Sequence, residues 1–213
     1  CRPCRQRYFS SRPRRCVQCA IPIPTAAREI RCGECLRNKP AFDATVTAAD
    51  YAAPVDQLVL ALKFGARLPL APLLADMLHS AIQHHAERGL SVPSLITAVP
   101  LGAARLRERG FNQSLEIARP LARSLNVRLE AELLVRLRDT QPQATLPHEE
   151  RRRNLRRAFV VPGEMMNHVR GAHIGVVDDV VTTGATLNEI AETLKRFGAR
   201  RVTNIVFART AAN

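Results

Sequence analysis

The chain has no tryptophan, and aromatic residues make only 4% of its 213 positions. That disfavours a binding surface built on stacked rings and leaves backbone electrostatics as the main grip on any single nucleic-acid strand. No apolar run reaches the ~18 residues that a membrane-spanning helix needs, and no secretory leader is visible. Cysteine is absent after Cys35, which excludes a disulfide-laced secreted scaffold. Acidic residues are scarce as well: 19 Asp and Glu stand against 32 Lys and Arg, a net charge of +13 that favours phosphate-rich partners. The length fits one α/β domain with a true core plus a small appendage.

What is present begins with the cysteines. All six fall in three Cys-x-x-Cys pairs, Cys1/Cys4, Cys16/Cys19 and Cys32/Cys35. Cys16, Cys19, Cys32 and Cys35 form Cys-x2-Cys-x12-Cys-x2-Cys, a spacing suited to a tetrahedral structural Zn²⁺. A segment so short and so rich in Arg and Pro cannot fold on apolar burial alone, so metal would supply most of its folding free energy. Zn²⁺ takes four ligands, and the expectation for Cys1 and Cys4 is half of a second site whose other half lay upstream. A redox-active Cys-x-x-Cys is the competing reading, but the helix that usually follows such a motif is missing. The expected division is a zinc-binding module over 1–39 and an α/β domain over 40–213.

The densest chemistry lies in Val176-Val177-Asp178-Asp179-Val180-Val181-Thr182-Thr183-Gly184-Ala185-Thr186-Leu187. β-Branched residues from Ile174 to Val181 predict a strand that presents two carboxylates at its end. Leu187, Ile190, Ala191, Leu194 and Phe197 predict a helix closed by Gly198. Between them, Thr182, Thr183, Gly184, Ala185 and Thr186 offer backbone N–H groups and three hydroxyls at a helix N-terminus, which suits a phosphate. Gly184 would let the backbone approach that phosphate closely. Asp178 and Asp179 are placed to accept hydrogen bonds from a vicinal diol and to hold a hydrated Mg²⁺ nearby. Adjacent acids alone are most often solvated, and a Thr/Gly turn alone is most often a plain cap. Their order is what points to a sugar-phosphate site, and the segment resembles the phosphoribosyl-pyrophosphate (PRPP) loop of type I phosphoribosyltransferases.

The rest alternates strands with helices. Strands are expected over 45–51, 94–99, 133–137, 157–161, 173–178 and 201–207, and helices over 54–64, 70–88 and from about Asn112 to Leu125, with Pro120 kinking or shortening the last. That alternation implies a mostly parallel sheet with ligands at the carboxyl ends of its strands. Two basic segments remain: a loop through Arg105, Arg107 and Arg109, and the stretch from Arg136 to Arg157. A charge run is usually a solvated face. The first follows a strand end, as a pyrophosphate loop would, and the turn-rich second holds Gln141-Pro142-Gln143 and Pro147, as a mobile catalytic loop would. The six histidines show no ligand spacing and read as surface or core residues.

Across nearly the whole chain the order of parts resembles the ComF family of competence-related, phosphoribosyltransferase-like proteins. It is carried by the Cys-x-x-Cys knuckles, Leu62-Lys63-Phe64, Val99-Pro100-Leu101, Arg105-Leu106-Arg107-Glu108-Arg109-Gly110-Phe111-Asn112-Gln113, Thr140-x-x-Gln143 with Arg152 and Asn154, and the acidic PRPP loop. One cysteine pair common in that family is absent, and Pro120 interrupts a helix that is usually proline-free. The resemblance implies a type I phosphoribosyltransferase fold and a cytoplasmic bacterial protein connected with DNA uptake and the handling of single-stranded DNA. It also implies PRPP as ligand: Asp178 and Asp179 with Mg²⁺ on the ribose, Thr182 to Thr186 on the 5′-phosphate, and the backbone of Leu101 and Gly102 with Arg105 on the pyrophosphate. The acceptor is unspecified. The alternative is a non-catalytic single-stranded DNA-binding or regulatory protein that uses PRPP as an effector.

Overall fold

The computed structural model describes residues 2–9, 13–26, 29–137 and 158–211. Five strands form one sheet in the order β1-β7-β6-β2-β3, every neighbouring pair parallel. They are β1 (Ala44–Asp50), β2 (Leu95–Ala98), β3 (Arg128–Leu129), β6 (His173–Val181) and β7 (Arg201–Arg209). A small antiparallel pair, β4 (Val135–Arg136) with β5 (Phe159–Val160), stands apart. The expected mostly parallel α/β fold is therefore what the chain adopts.

Parallel strands need crossover connections, and those helices bury both sheet faces, so the central strands are apolar on both sides. Val177, Ile205 and Phe207 pack into one core with α3 (Val55–Lys63), α4 (Leu70–Glu87) and α6 (Gln113–Leu125). Ile174, Val176, Val202 and Val206 pack into the other, with α8 (Ala185–Arg196) and the residues flanking β4 and β5. The short helices are α1 (Arg2–Phe9), α2 (Gly33–Arg37), α5 (Ala103–Arg109) and α7 (Met166–Val169). No helix among the described residues is long and apolar enough to cross a membrane.

Two expectations are corrected. β6 does not end at the acids: Val180 and Val181 pair on with Ala208 and Arg209 of β7, so Asp178 and Asp179 lie inside the strand. The segment 103–109 is a helix, α5, rather than a loop, because Ala, Leu, Arg and Glu are strong helix formers and Gly110 at φ 77 supplies the left-handed stop. Helix α6 spans Gln113–Leu125, close to the expected range, and Pro120 does not shorten it. Ile117, Ala118, Leu121 and Ala122 are all buried around the proline, and that packing outweighs the hydrogen bond a proline cannot donate.

Candidate sugar-phosphate site and cysteine cluster

The two acids are fastened differently. Ser114, in the first turn of α6, donates to Asp178 Oδ1 at 2.9 Å, and the backbone N–H of Asp179 donates to the same oxygen at 3.0 Å. Asp179 is 3% exposed, and its Oδ2 lies 2.6 Å from the ammonium of Lys63 at the end of α3. Its Oδ1 accepts from the N–H of Val180 at 2.8 Å. Burial, and next the charge of Asp179, push the Asp178 carboxyl up to about 7, against the opposing pull of Lys63 and Ser114. Two crowded carboxylates of this kind favour a cation with oxygen preference, and hard oxygen donors are the set that Mg²⁺ takes.

Sequence reasoning missed Lys63 and Ser114 as site residues. Lys63 had a signal, standing between Leu62 and Phe64 at the end of an apolar helix. Ser114 follows Asn112, whose side-chain oxygen caps α6 by accepting from the N–H groups of Ser114 and Leu115. The Asn112 amide also donates to the carbonyl of Val99 at 3.0 Å, locking the start of α6 to the end of β2.

Beyond β6, Thr182 and Thr183 are exposed, and Gly184 takes φ 80, a left-handed turn that glycine enters without strain. Its neighbours leave ordinary space where a Cβ would be, so conformation rather than crowding calls for glycine there. Ala185 then opens α8, its N–H donating to Thr183 Oγ1 at 3.3 Å, with Thr186 one residue further on. The carbonyls of Val181 and Thr182 are bound from below by Arg209, the last residue of β7. Arg209 is 5% exposed and also donates to the carbonyl of Cys19 at 3.2 Å, joining the turn to the cysteine segment.

Register brings the other predicted residues to the same edge of the sheet. Ala98 pairs with Val177, and Val99 donates to the Val177 carbonyl, so Leu101 and buried Gly102 follow directly beside the acids. Arg105 stands exposed on α5. Arg109, at the end of that helix, donates to Gln113 Oε1, and its guanidinium lies 5.4 Å from the centroid of the Phe64 ring. Gln141, Pro142, Gln143, Pro147, Arg152 and Asn154, with the Arg151 to Arg157 run, lie outside the described residues.

The four cysteines expected to share a metal do converge. The Sγ atoms of Cys16, Cys19, Cys32 and Cys35 all lie within 4.8 Å of one another, with Cys19 and Cys32 at 3.6 Å. A tetrahedral zinc with Zn–S bonds near 2.3 Å holds its sulfurs about 3.8 Å apart, so the spacing fits a structural metal such as zinc. Local structure builds this. A bridge between Arg15 and Pro22 and the Cys16 N–H to Ile21 carbonyl bond close the first knuckle. Cys32 precedes α2 and Cys35 stands within it, three residues on and so on the same side. Cys16 and Cys35 are buried and Cys19 and Cys32 half-buried, which suits a closed structural site. Cys4 lies exposed on α1, away from the four, and Cys1 is outside the described residues.

A parallel sheet with an acid pair and hydroxyl turn at one edge defines a class, and comparison with known proteins agrees on it. Residues 112–213 match the family model of the phosphoribosyl transferase domain. The DNA utilization protein YhgH of Escherichia coli K12 is 40% identical over 88% of this chain and 80% of its own length. YhgH of Salmonella typhimurium LT2 is 39% identical over the same shares. Competence protein F of Haemophilus influenzae is 32% identical over 88% of this chain and 81% of that one. The chain belongs to this ComF family of competence-linked, phosphoribosyltransferase-like proteins.

Proposed function

We propose that the chain binds PRPP with Mg²⁺ at the carboxyl edge of its parallel sheet and transfers the phosphoribosyl group to an acceptor in the cytoplasm. The observation that carries this is the acid pair of β6 followed at once by the Thr182 to Thr186 turn at the start of α8. Asp178 and Asp179 take the ribose hydroxyls. The N–H groups and hydroxyls of Thr182, Thr183, Gly184, Ala185 and Thr186 take the 5′-phosphate. Leu101, Gly102 and Arg105 take the pyrophosphate. Asp178, with a carboxyl that a cation would deprotonate, is the residue that would hold Mg²⁺, which supplies charge neutralisation for the leaving group. As pyrophosphate departs, positive charge develops at the sugar carbon, and Arg105 steadies the negative charge that leaves. No side chain acts as a covalent nucleophile.

Lys63 neutralises Asp179, and Ser114 orients Asp178, so the pair meets the ligand preorganised. The four cysteines hold Zn²⁺ as a structural brace for residues 1–39, beside an α/β domain over 40–213. A second reading is favoured by the +13 charge and by the names of the relatives: the chain binds single-stranded DNA, with PRPP as effector. Calorimetry with PRPP and Mg²⁺ tests the first reading, followed by an assay for pyrophosphate release with nucleobases and amines as acceptors. Asp178→Asn is expected to abolish PRPP binding while the thermal midpoint stays within a few degrees of the parent. Binding as tight as the parent's would remove the diol assignment.

A further inference from the structure

We infer that Phe64 and Arg109 form a stacking platform for a planar nitrogenous base at the mouth of the acid-pair site; this rests on reading that site as a sugar-phosphate pocket. Phe64 is the most exposed large hydrophobic side chain among the described residues, at 74%. A single exposed apolar residue needs no explanation by itself. Its position does. Phe64 is the neighbour in sequence of Lys63, whose ammonium is 2.6 Å from Asp179, so the backbone that carries the ring also carries the side chain that reaches the acid pair. Arg109 sets its guanidinium 5.4 Å from the ring centroid and is itself held by Gln113, a buried residue of α6. The next residue, Ser114, bonds Asp178.

These contacts close a circuit: Asp179 to Lys63, Phe64 to Arg109, Arg109 to Gln113, and Ser114 to Asp178. The acids are its inner side, and the ring with its guanidinium is its outer side. A flat aromatic ring backed by a flat cation, left open to solvent beside a sugar-binding pair, matches the outline of a base attached to, or about to be attached to, that sugar. Stacking on an aromatic face tolerates any base, and an arginine behind the ring strengthens it. The scarcity of aromatics in this chain then has a different meaning: one well-placed ring suffices for one base. The base comes either as a free acceptor or from an unpaired strand, and the chemistry recognised is the same.

Because the chain has no tryptophan, Phe64→Trp creates a single fluorescent reporter that keeps the stacking face. The full chain in this form is titrated with adenine in the presence of PRPP and Mg²⁺, with oligo-dA, and with an abasic oligonucleotide of equal length. The expected result is quenching by adenine, by oligo-dA or by both, and none by the abasic strand. Quenching by adenine alone assigns the platform to a free acceptor, and by oligo-dA alone to a strand. In parallel, Phe64→Ala and Phe64→Leu are expected to weaken binding of the quenching ligand by roughly ten-fold or more. The abasic strand should bind each variant as it binds the parent. Absence of quenching by both base-bearing probes, or equal losses for base-bearing and abasic strands, would overturn the platform. Failure of PRPP to bind the parent chain, read in a separate titration, would overturn the sugar-phosphate reading instead.

Discussion

The partly exposed Lys63 reaches a buried Asp179, and removing the partner of a buried carboxylate costs more than lacking the pair altogether. Lys63→Met is therefore expected to destabilise the chain by about 3 kcal/mol in urea unfolding, with much of the loss restored by adding Asp179→Asn. Equal midpoints for parent and Lys63→Met would show the pair to be inert. His173 contributes one arm of the pH dependence of stability, and Asp178, raised to about 7, contributes an opposing one in which stability falls as pH rises between its ordinary value and 7. The His173 Nε2 lies 2.8 Å from Thr203 Oγ1 inside the sheet, and burial, then Arg201 and Arg200, hold the imidazole down at about 4. An unfolded chain protonates the same ring near pH 6.5, so between those values it binds more protons than the native state. The stability due to neutral His173 is thus complete above about pH 6.5 and is lost as pH falls toward 4. His173→Gln should remove the gain in urea midpoint with rising pH between about 4 and 6.5, so that the midpoint of the variant falls more steeply with pH than the parent's, and an unchanged slope would show that His173 does not contribute. Lys63 stood out beside an apolar helix end, but its pairing did not, because it meets Asp179 across more than a hundred residues, and His173 has no spacing that marks it.

At the scale of elements the sequence was clearest where one period ran long, as in α4, β6 and β7, and least clear where two rules competed. Val180 and Val181 could end a strand or extend it, and only the presence of β7 alongside makes extension favourable. The arginines of α5 read as a pyrophosphate loop because their position after a strand end outweighed good helix propensity. The cysteine spacing foretold the cluster, but nothing foretold that β7 would deliver an arginine between that cluster and the phosphate turn. Burial lowers the Arg209 pKa, while the neighbouring Cys19, Cys32 and Cys35 oppose the shift. One guanidinium bonds the carbonyls of Cys19, Val181 and Thr182, a fan of acceptors that a lysine cannot span. Arg209→Lys is accordingly expected to release zinc to a chelator several-fold faster and, in the same preparation, to weaken PRPP binding. A change in one without the other would mean that the bond network does not join the two segments.

The whole molecule carries a net charge of +13, and two groups of arginines compete to account for its use. Arg105 and Arg107 are exposed on α5 at the carboxyl edge of the sheet, whereas Arg151, Arg152, Arg153, Arg156 and Arg157 form a run outside the described residues. A nucleic-acid backbone gripped by that run releases counterions on binding, so affinity should fall steeply with salt for every strand sequence. Replacing the five arginines of the run by glutamine should then weaken single-stranded DNA binding uniformly. It should also flatten the plot of log affinity against log salt by roughly one unit for each phosphate no longer neutralised, with PRPP affinity little changed. If the run instead serves the reaction as a catalytic loop, the same replacements depress PRPP binding or turnover and leave the salt slope intact. Fluorescence anisotropy with a labelled oligonucleotide at several salt concentrations, paired with calorimetry on PRPP, reads both outcomes from one preparation. A slope and a PRPP affinity that both stay at the parent values would make the run a solvated face, and would leave the α5 arginines as the charges that meet a phosphate.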